Sequence, residues 1–456
     1  MKKHRNINST DSQEHSLLFS SKFSRIHSQE ISEQLQYRVT CKRYYIMALY
    51  GLLLYWGTMS NDGNDTVNTE LHKLYGLDNL SLIVKDSMFE IWFLPGAIIS
   101  TYVYNKYSLR VGIIAAAWVQ ALGSIIKILA IVHYSFLYIG LALWAIAFPS
   151  LVLASSLVAV KWFEDSKRVL MIAVAVSLSY SGFIEGPGLT SILVHLQKAD
   201  SNERLNLGVI YGIKAAIWFV VTMLTIFTFR TKPNIPPSAA AVVYRDDDII
   251  GTLRQLFCNK QFMKLSLSHM LYYSMMIGLL TNFRQILRTY EYTDSQIDNI
   301  FYIHVEIGVV GSITLGIFLY FTRWYKAANI MIGVCWLVLT LILLGILELG
   351  YDSMCVVSAF LGFFEFPILT ISFVFASEVA YPLKETTVNA IIRAPAVIFA
   401  NIFAWISYFL LKKANSKLSC QIFIAVLCLF LIAGIVVGFL MERLDHTKIK
   451  NVEIGK

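Results

Sequence analysis

Ionisable side chains occur inside several long apolar segments of this chain, and they are the first candidates for chemistry. Four are acids and two are bases: Glu90, Glu185, Glu306, Glu365, His269 and Arg393. If those segments cross a bilayer, each charge costs at least about 2.5 kcal/mol to insert, so the residue should face a polar cavity or an ion pair. Such residues can bind a polar solute, carry a proton or form a structural ion pair.

Glu185 is the first candidate for a proton carrier. It lies in Gly182–Gly188 (GFIEGPG), where glycine and proline can free backbone groups beside a cavity. A buried carboxylate with a raised pKa takes up a proton on an acidic side of a membrane and releases it on the other side. The functional and structural interpretations of Glu185 are about even, and the other proton-coupling candidates are Glu90, Glu306 and Glu365.

Arg393 is the candidate for binding charge on a solute. It stands near the middle of an apolar segment, two residues before Pro395, and either a carboxylate partner or an anionic substrate group should meet it. Tyrosine rings can stack on a heteroaromatic solute, although helix packing is the better interpretation for any single tyrosine. The expected substrate-binding residues are Asn61, Tyr180, Glu185, His269, Tyr273 and Arg393.

The elements that position these residues are membrane helices. The 456 residues are 56% hydrophobic and 15% charged, against about 25% charged in an ordinary soluble chain. Twelve apolar segments have a length near the roughly 20 residues that a spanning helix needs. The sequence predicts an all-α integral membrane protein with twelve transmembrane helices in two six-helix halves.

A polar connector divides the chain into these halves. We predict a disordered cytosolic tail, a first half, a connector with a surface helix, a second half and a cytosolic tail, over residues 1–43, 44–229, 230–262, 263–441 and 442–456. Lysine and arginine are concentrated in the loops on the side of both termini, which predicts that this side is cytosolic. Glycosylation sequons at Asn64 and Asn79 fall in the first loop on the other side.

The sequence argues against enzymes and nucleic-acid binding. It contains no HExxH, GxSxG, GxGxxG or P-loop motif, and its six cysteines form no CxxC pair or other metal-binding spacing. Its basic residues lie between apolar segments, where they set membrane topology. We expect no catalytic residues, cofactor, metal or nucleic acid, and the expected partners are the lipid bilayer, a small organic solute and protons.

Several loop motifs carry a family resemblance. Glu378–Thr386 (EVAYPLKET), Thr322–Lys326 (TRWYK) and Ala159–Phe163 (AVKWF) resemble motifs of the feline leukaemia virus subgroup C receptor-related solute carriers. That resemblance implies the major facilitator fold, with substrate bound between the halves. Leu178–Gly182 (LSYSG) and Lys232–Ala239 (KPNIPPSA) are most similar to the "disrupted in renal carcinoma" branch, which implies a lysosomal, proton-coupled carrier of pyridoxine.

The resemblance therefore implies a secondary active transporter of a vitamin-like solute such as pyridoxine, or of a cationic metabolite, in a lysosomal or endosomal membrane. The tail sequence Glu14–Leu18 (EHSLL) is of the kind that endolysosomal sorting adaptors bind, with chance occurrence an equal alternative. Two departures matter: Asn105 and Tyr320 replace acids of the superfamily's loops. They leave a non-transporting receptor or scaffold as the alternative function, and the missing aromatic cage disfavours choline.

Overall fold

The computed structural model describes residues 40–59, 72, 74–77, 81, 84–85, 88–196, 203–242, 249–414 and 416–442. Asn61, the sequon asparagines Asn64 and Asn79, the dileucine-like sequence and most of the two predicted tails lie outside these residues. The helices are numbered in chain order. The first half contains α1 (Lys42–Met59), α2 (Met88–Lys106), α3 (Leu109–Ile128), α4 (Ser135–Leu153), α5 (Ser155–Trp162), α6 (Arg168–Leu196) and α7 (Glu203–Thr228).

The connector contains two short helices, and the second half repeats the pattern of long ones. The connector helices are α8 (Ala239–Val242) and α9 (Ile249–Cys258). The second half contains α10 (Lys260–Thr289), α11 (Asp294–Thr322), α12 (Tyr325–Ile346), α13 (Tyr351–Glu365), α14 (Pro367–Val379), α15 (Glu385–Ala414) and α16 (Lys417–Leu440). We call the face where α7 ends and α10 begins the connector face, and the opposite one the far face.

The helices confirm the predicted all-α membrane fold. In the described part of the chain, eight spans are long and apolar enough to cross a bilayer, with α4–α5 and α13–α14 each counted as one span. The remaining long helices are α1, α2, α6 and α10. Three of these four contain polar candidates named above, Glu90, Glu185 and His269. Eight plus four is consistent with the predicted twelve helices.

A proline explains one of the two helix breaks. Pro367 is the first residue of α14 and has no backbone N–H to donate, so the helical hydrogen bonds of α13 end at Phe366. This break lies in the middle of the span and directs the Phe366 ring toward the first half, where it meets Tyr180. The local sequence thus places an aromatic side chain between the two halves.

Glycines allow α11 and α13 to pack closely. A Cβ atom built on Gly362 would lie 1.7 Å from the backbone oxygen of His304, and one on Gly311 would lie 2.1 Å from that of Phe363. Small residues bring membrane helices together because lipid tails give no hydrophobic drive for association. Across the halves, α6 packs against α11 and α2 packs against α15.

The connector is attached to the first half. Arg168 Nη2 donates to Ser238 Oγ at 2.8 Å, and Lys161 Nζ donates to the Ala241 carbonyl at 2.9 Å. Helix α9 buries only Thr252 and Leu256, while Ile250 remains exposed. An exposed apolar side chain on such a helix favours the predicted membrane-surface position.

Helix α10 begins three residues before the predicted boundary of the second half at Met263. The Asn259 side chain accepts hydrogen bonds from the backbone N–H groups of Gln261 and Phe262. This N-cap satisfies two donors that a helix start leaves unpaired. The cap therefore stabilises a helix start at Lys260, and the polar residues before Met263 form the first turn of α10.

Candidate functional site

Four of the expected substrate-binding residues meet between the two halves. Tyr180 comes from α6 in the first half, whereas His269 and Tyr273 come from α10 and Arg393 from α15 in the second half. At about 1.5 Å of rise per residue, all four lie roughly 12–20 Å along their helices from the connector face. We call these four residues the central cluster. The sequence predicted its members, and the fold brings them to a common depth in the membrane.

Arg393 is a buried cation whose donors are not all used. Its side chain is 6% exposed, and its guanidinium carbon lies 3.9 Å from the centre of the Tyr273 ring. Nε and Nη1 are buried without a hydrogen-bond partner, and no described carboxylate forms an ion pair with the group. A desolvated cation–π contact contributes about 2 kcal/mol, whereas placing arginine in mid-membrane costs about 2.5–3.5 kcal/mol. The carboxylate partner considered from the sequence is therefore absent among the described residues.

His269 presents a hydrogen-bond acceptor to this cluster. Its Nδ1 lies 2.7 Å from Ser372 Oγ, and the Ser372 hydroxyl donates to the Ile368 carbonyl at 2.6 Å. Because the serine proton is used there, Nδ1 must be the donor in its own hydrogen bond. In the neutral imidazole, Nε2 then carries the lone pair, and that atom is buried with no hydrogen-bond partner.

Tyr180 brings the first half into the cluster. Its ring meets the Phe366 ring edge-on, with centroids 4.6 Å apart and an interplanar angle of 82°. Its hydroxyl is buried without a hydrogen-bond partner and lies within electrostatic range of Arg393 and Tyr273. Helix α6 therefore contributes one donor and one ring to a cluster otherwise built by the second half.

The four proton-coupling candidates are distributed over three places. Glu90 is on α2 and lies within electrostatic range of Tyr273, so it borders the central cluster. Glu185 and Glu306 lie within electrostatic range of each other, and the Tyr55 hydroxyl donates to Glu185 Oε2. We call Glu185 and Glu306 the carboxylate pair. Glu185 is five residues beyond Tyr180 on α6, so the pair lies nearer the far face than the central cluster does.

Glu365 is in the third place and has a partner within its own half. Its Oε2 lies 3.2 Å from Nε2 of His304, and both side chains are at most 1% exposed. His304 Nδ1 is 2.9 Å from the Ser358 carbonyl, which can only accept, so Nδ1 carries a proton. A pair held by α11 and α13 fits the structural ion pair that the sequence left open.

Sequence reasoning missed Tyr55, Ser372 and Phe366. None of them is ionisable near neutral pH, and nothing in their local sequence separates them from the other tyrosines, serines and phenylalanines of the chain. For Phe366 alone the sequence holds a signal that could have singled it out: the proline that follows it, because a proline in an apolar segment predicts a helix break. Of the expected residues, Asn61 is outside the described ones.

The two halves touch at the connector face. Asn389 Nδ2 donates to the Leu153 carbonyl at 3.1 Å and to Ser156 Oγ at 3.0 Å. Asn105 Nδ2 lies 3.5 Å from Thr387 Oγ1, at the loop position where the superfamily has an acid. We call these five residues the connector-side gate. Their contacts close the connector face in this conformation, and the loop asparagine still bridges the halves.

Replacement of Asn389 by leucine is expected to open the connector-side gate more often. Leucine has nearly the same volume but cannot donate to Leu153 or Ser156, so the closed form loses about 1–3 kcal/mol of hydrogen bonding. The measurement is disulfide cross-linking of a cysteine pair placed at Asn105 and Thr387, which are in contact only when the gate is closed.

The expected result is at least a severalfold slower cross-linking in the Asn389→Leu background. Asn401→Leu is the matched control, because Asn401 bonds only to the Val397 carbonyl of its own helix. Equal rates in the two backgrounds would show that Asn389 does not hold the gate.

Metal chemistry finds no support in the described part of the chain. Within it, no group of three or more His, Cys, Asp or Glu side chains is arranged to hold a metal ion. Cys420 and Cys428 are buried, whereas Cys41 and Cys258 are exposed. The described residues offer instead the buried cation Arg393, the ring pairs Tyr180–Phe366 and His269–Tyr273, and the carboxylate pair. Such groups suit the binding and release of a solute.

Curated relatives resemble this chain along most of its length. It is 26% identical over 439 residues to choline/ethanolamine transporter flvcr2a of Danio rerio, covering 93% of this chain and 92% of that protein. It is 23% identical to choline/ethanolamine transporter FLVCR1 of Felis catus, and the match covers 92% of this chain and 76% of that protein. An uncharacterized MFS-type transporter of Caenorhabditis elegans is 26% identical over 80% of this chain and 62% of its own length. No family model matches the chain.

Solved structures agree on the fold. The crystal structure of the major facilitator superfamily transporter FucP in the outward conformation superposes with a TM-score of 0.66 at 16% identity, covering 87% of this chain and 99% of that one. These similarities confirm the expected family resemblance and fold, and they confirm that the chain is of a non-enzymatic, transporting type.

Proposed function

We propose that this chain, a membrane transporter with the major facilitator fold and a relative of the feline leukaemia virus subgroup C receptor-related carriers, moves a small organic solute by alternating access. The observation that carries the proposal is the central cluster. Tyr180 from one half and His269, Tyr273 and Arg393 from the other meet midway through the membrane. A site shared by two halves changes its access when the halves rock.

The connector-side gate supports one half of that cycle. Its contacts join Asn389 to Leu153 and Ser156, and no covalent link holds them. In our proposal these hydrogen bonds break when the carrier opens toward the connector. Such bonds between polar side chains and backbone are weak enough to exchange with water during a transport cycle.

The composition of the cluster favours a planar, vitamin-like solute over a cationic metabolite. Two of the relatives are named as choline/ethanolamine transporters, which makes both amines necessary test substrates. Both amines are cations, however, and Arg393 places a positive charge in the cluster. Tyr180, Phe366, Tyr273 and His269 supply ring faces and edges that suit a planar heteroaromatic solute.

Uptake by proteoliposomes tests this function. Purified full-length protein is reconstituted and offered pyridoxine, choline, ethanolamine, haem and amino acids, each with and without a pH gradient, and protein-free liposomes are the control. Saturable accumulation of at least one solute is expected. The competing function is a non-transporting receptor or scaffold, favoured by the loss of acids at Asn105 and Tyr320, and it predicts no accumulation under any gradient.

Replacement of Glu185 by glutamine is expected to remove the pH dependence of uptake while the protein still folds. Glutamine keeps the shape and can still accept from the Tyr55 hydroxyl, but it cannot bind and release a proton. In our proposal Glu185 takes up and releases the coupling proton, and Glu306 lies within electrostatic range of it. The measurement is initial uptake rate against outside pH.

The matched control for this experiment is Glu348→Gln. Glu348 is an exposed acid whose Oε1 is 2.9 Å from Lys417 Nζ, away from both the pair and the cluster. An uptake profile of Glu185→Gln that follows the wild-type profile would remove Glu185 from the coupling mechanism and move the proposal to Glu90 or Glu306.

We also propose an endosomal or lysosomal location with both termini in the cytosol. The support is the distribution of basic residues, in which the connector between the halves is rich in lysine and arginine. Protease protection of epitope tags on each terminus in intact vesicles measures the orientation, and co-localisation with a lysosomal membrane marker measures the location.

A further inference from the structure

We propose that the solute carries a carboxylate group and that Arg393 and Tyr180 bind it between the two halves. This inference rests on the proposed transport function, because it names the class of solute that the same central cluster accepts. It goes beyond the relatives, two of which are named for the amines choline and ethanolamine.

The first argument is the surplus of donors in the central cluster. The N–H groups of Arg393 Nε and Nη1 are buried without hydrogen-bond acceptors. The Tyr180 hydroxyl is a second buried donor without a partner. Buried donors in native proteins are almost always satisfied by protein groups or water, and a ligand that only accepts hydrogen bonds would satisfy these donors.

The second argument is the amount of charge. Arg393 and the nearby His269 are the only basic groups that the described residues place in the cluster, and two acids border it, Glu90 from α2 and Glu365 from α13. A carboxylate has one negative charge and matches one guanidinium. A phosphate monoester has about 1.5 to 2 negative charges near pH 7, which would leave excess charge beside Glu90. The charge balance therefore favours a carboxylate over a phosphate.

The third argument concerns the rest of the solute. Tyr273 covers one face of the Arg393 guanidinium and stacks on His269 at a centroid distance of 5.8 Å. Tyr180 from the first half and Phe366 from the second form an edge-to-face pair across the interface between the halves. His269 Nε2 offers an acceptor to a ring N–H or hydroxyl group. A flat ring bearing a carboxylate matches the aromatic faces and the donors of Arg393 and Tyr180, and a ring N–H or hydroxyl group on it would also match His269 Nε2.

Nicotinate and nicotinamide are the probes that isolate this chemistry. They share a ring and differ only in a carboxylate against a neutral carboxamide. Pyridoxal phosphate is the third probe, because it carries a phosphate on a similar ring. Binding to purified full-length protein in detergent is measured by ligand-induced thermal stabilisation and by competition against labelled nicotinate, so that transport itself is not required.

Wild-type protein is expected to bind nicotinate about 10- to 100-fold more tightly than nicotinamide or pyridoxal phosphate, because a hydrogen bond to a charged group is lost or mismatched in the other two. Arg393→Gln should remove this preference, and Arg393→Lys should restore part of it. Tyr180→Phe removes one hydroxyl without changing shape and should weaken nicotinate binding alone. The control is Arg284→Gln, since Arg284 is paired with Asp298 outside the cluster.

The outcomes separate this inference from the proposed function. Failure of wild-type protein to prefer nicotinate, including the absence of binding by any probe, overturns the carboxylate proposal, as does tighter binding of pyridoxal phosphate. A preference for nicotinate that survives in both Arg393→Gln and Tyr180→Phe also overturns it. Carboxylate binding without uptake of any solute leaves the inference standing and contradicts transport instead.

Discussion

Replacement of Gly362 by valine is expected to prevent assembly of the second half. A Cβ atom at this position would lie 1.7 Å from the backbone oxygen of His304, and no real Cβ atom approaches another heavy atom so closely. The obstructing atoms are backbone, so no side-chain rotation relieves the clash, and α11 must separate from α13. Overpacking a core costs about 1–3 kcal/mol when side chains adjust, and more when helices must move.

The measurement is the yield of monodisperse protein and its thermal midpoint in detergent. Gly362→Val should give little or no monodisperse protein, because separation of the two helices also breaks the buried contact between His304 and Glu365. Gly345→Val is the matched control, since Gly345 is also helical and a Cβ atom added there would have no neighbouring atom within 4 Å. Similar midpoints for the two variants would show that α11 and α13 are not packed as described.

Replacement of Gly316 by leucine is expected to keep the connector face open. A Cβ atom on Gly316 would lie 2.3 Å from the Cβ atom of Ala173, which belongs to the other half. Both residues are near the connector ends of α11 and α6, so a larger side chain acts as a wedge between the halves. Since neither residue is part of the central cluster, transport should fall while the protein remains folded.

A cysteine reporter at Thr387 measures this opening. The native cysteines at positions 41 and 258 are exposed and those at positions 335 and 355 are partly exposed, so all four are replaced by serine in all samples before the reporter is labelled with a polar maleimide. Gly316→Leu should label at least severalfold faster than the parent. Adding Ala173→Gly returns space at the contact and should slow labelling again, whereas Gly212→Leu, at a glycine with no neighbour within 4 Å, should leave it unchanged.

Unaltered labelling of Gly316→Leu would mean that α6 and α11 do not close this face. Fast labelling that Ala173→Gly fails to reverse would place the wedge at some other contact. Rescue by Ala173→Gly therefore tests whether α6 and α11 are in contact at this point. A glycine that tolerates no substitution for another reason would not be rescued by this second change.

The sequence predicted the elements of this fold because lipid imposes simple rules on them. Spanning helices need about 20 apolar residues, and an ionisable residue inside one must find a polar environment. These rules identified Arg393, His269 and Glu185 without any knowledge of packing. The break before Pro367 was not predicted, although a proline cannot continue the backbone hydrogen bonds of a helix and could have located it.

The partners of these residues could not be predicted, because they depend on which helix faces meet. Glu365 and His304 are 61 positions apart, and only the glycine-lined approach of α11 and α13 brings them to 3.2 Å. Tyr55 donates to Glu185 across two helices, although its own segment looks uniformly apolar. Whether the donors of Arg393 find acceptors depends on the helices packed around it, so the sequence near Arg393 could not predict that Nε and Nη1 have no partner.

Comparison of wild-type protein with Arg393→Gln in proteoliposomes tests the central claim most directly. The claim is that the chain moves a small organic solute through a site that Arg393 helps to form between its halves. The measurement is initial uptake of the best substrate from the solute panel, with nicotinate included, in an imposed pH gradient. We predict saturable uptake by the wild type and a loss of at least tenfold in Arg393→Gln at equal protein incorporation. Absence of uptake by the wild type under every gradient, or full activity in Arg393→Gln, would contradict it.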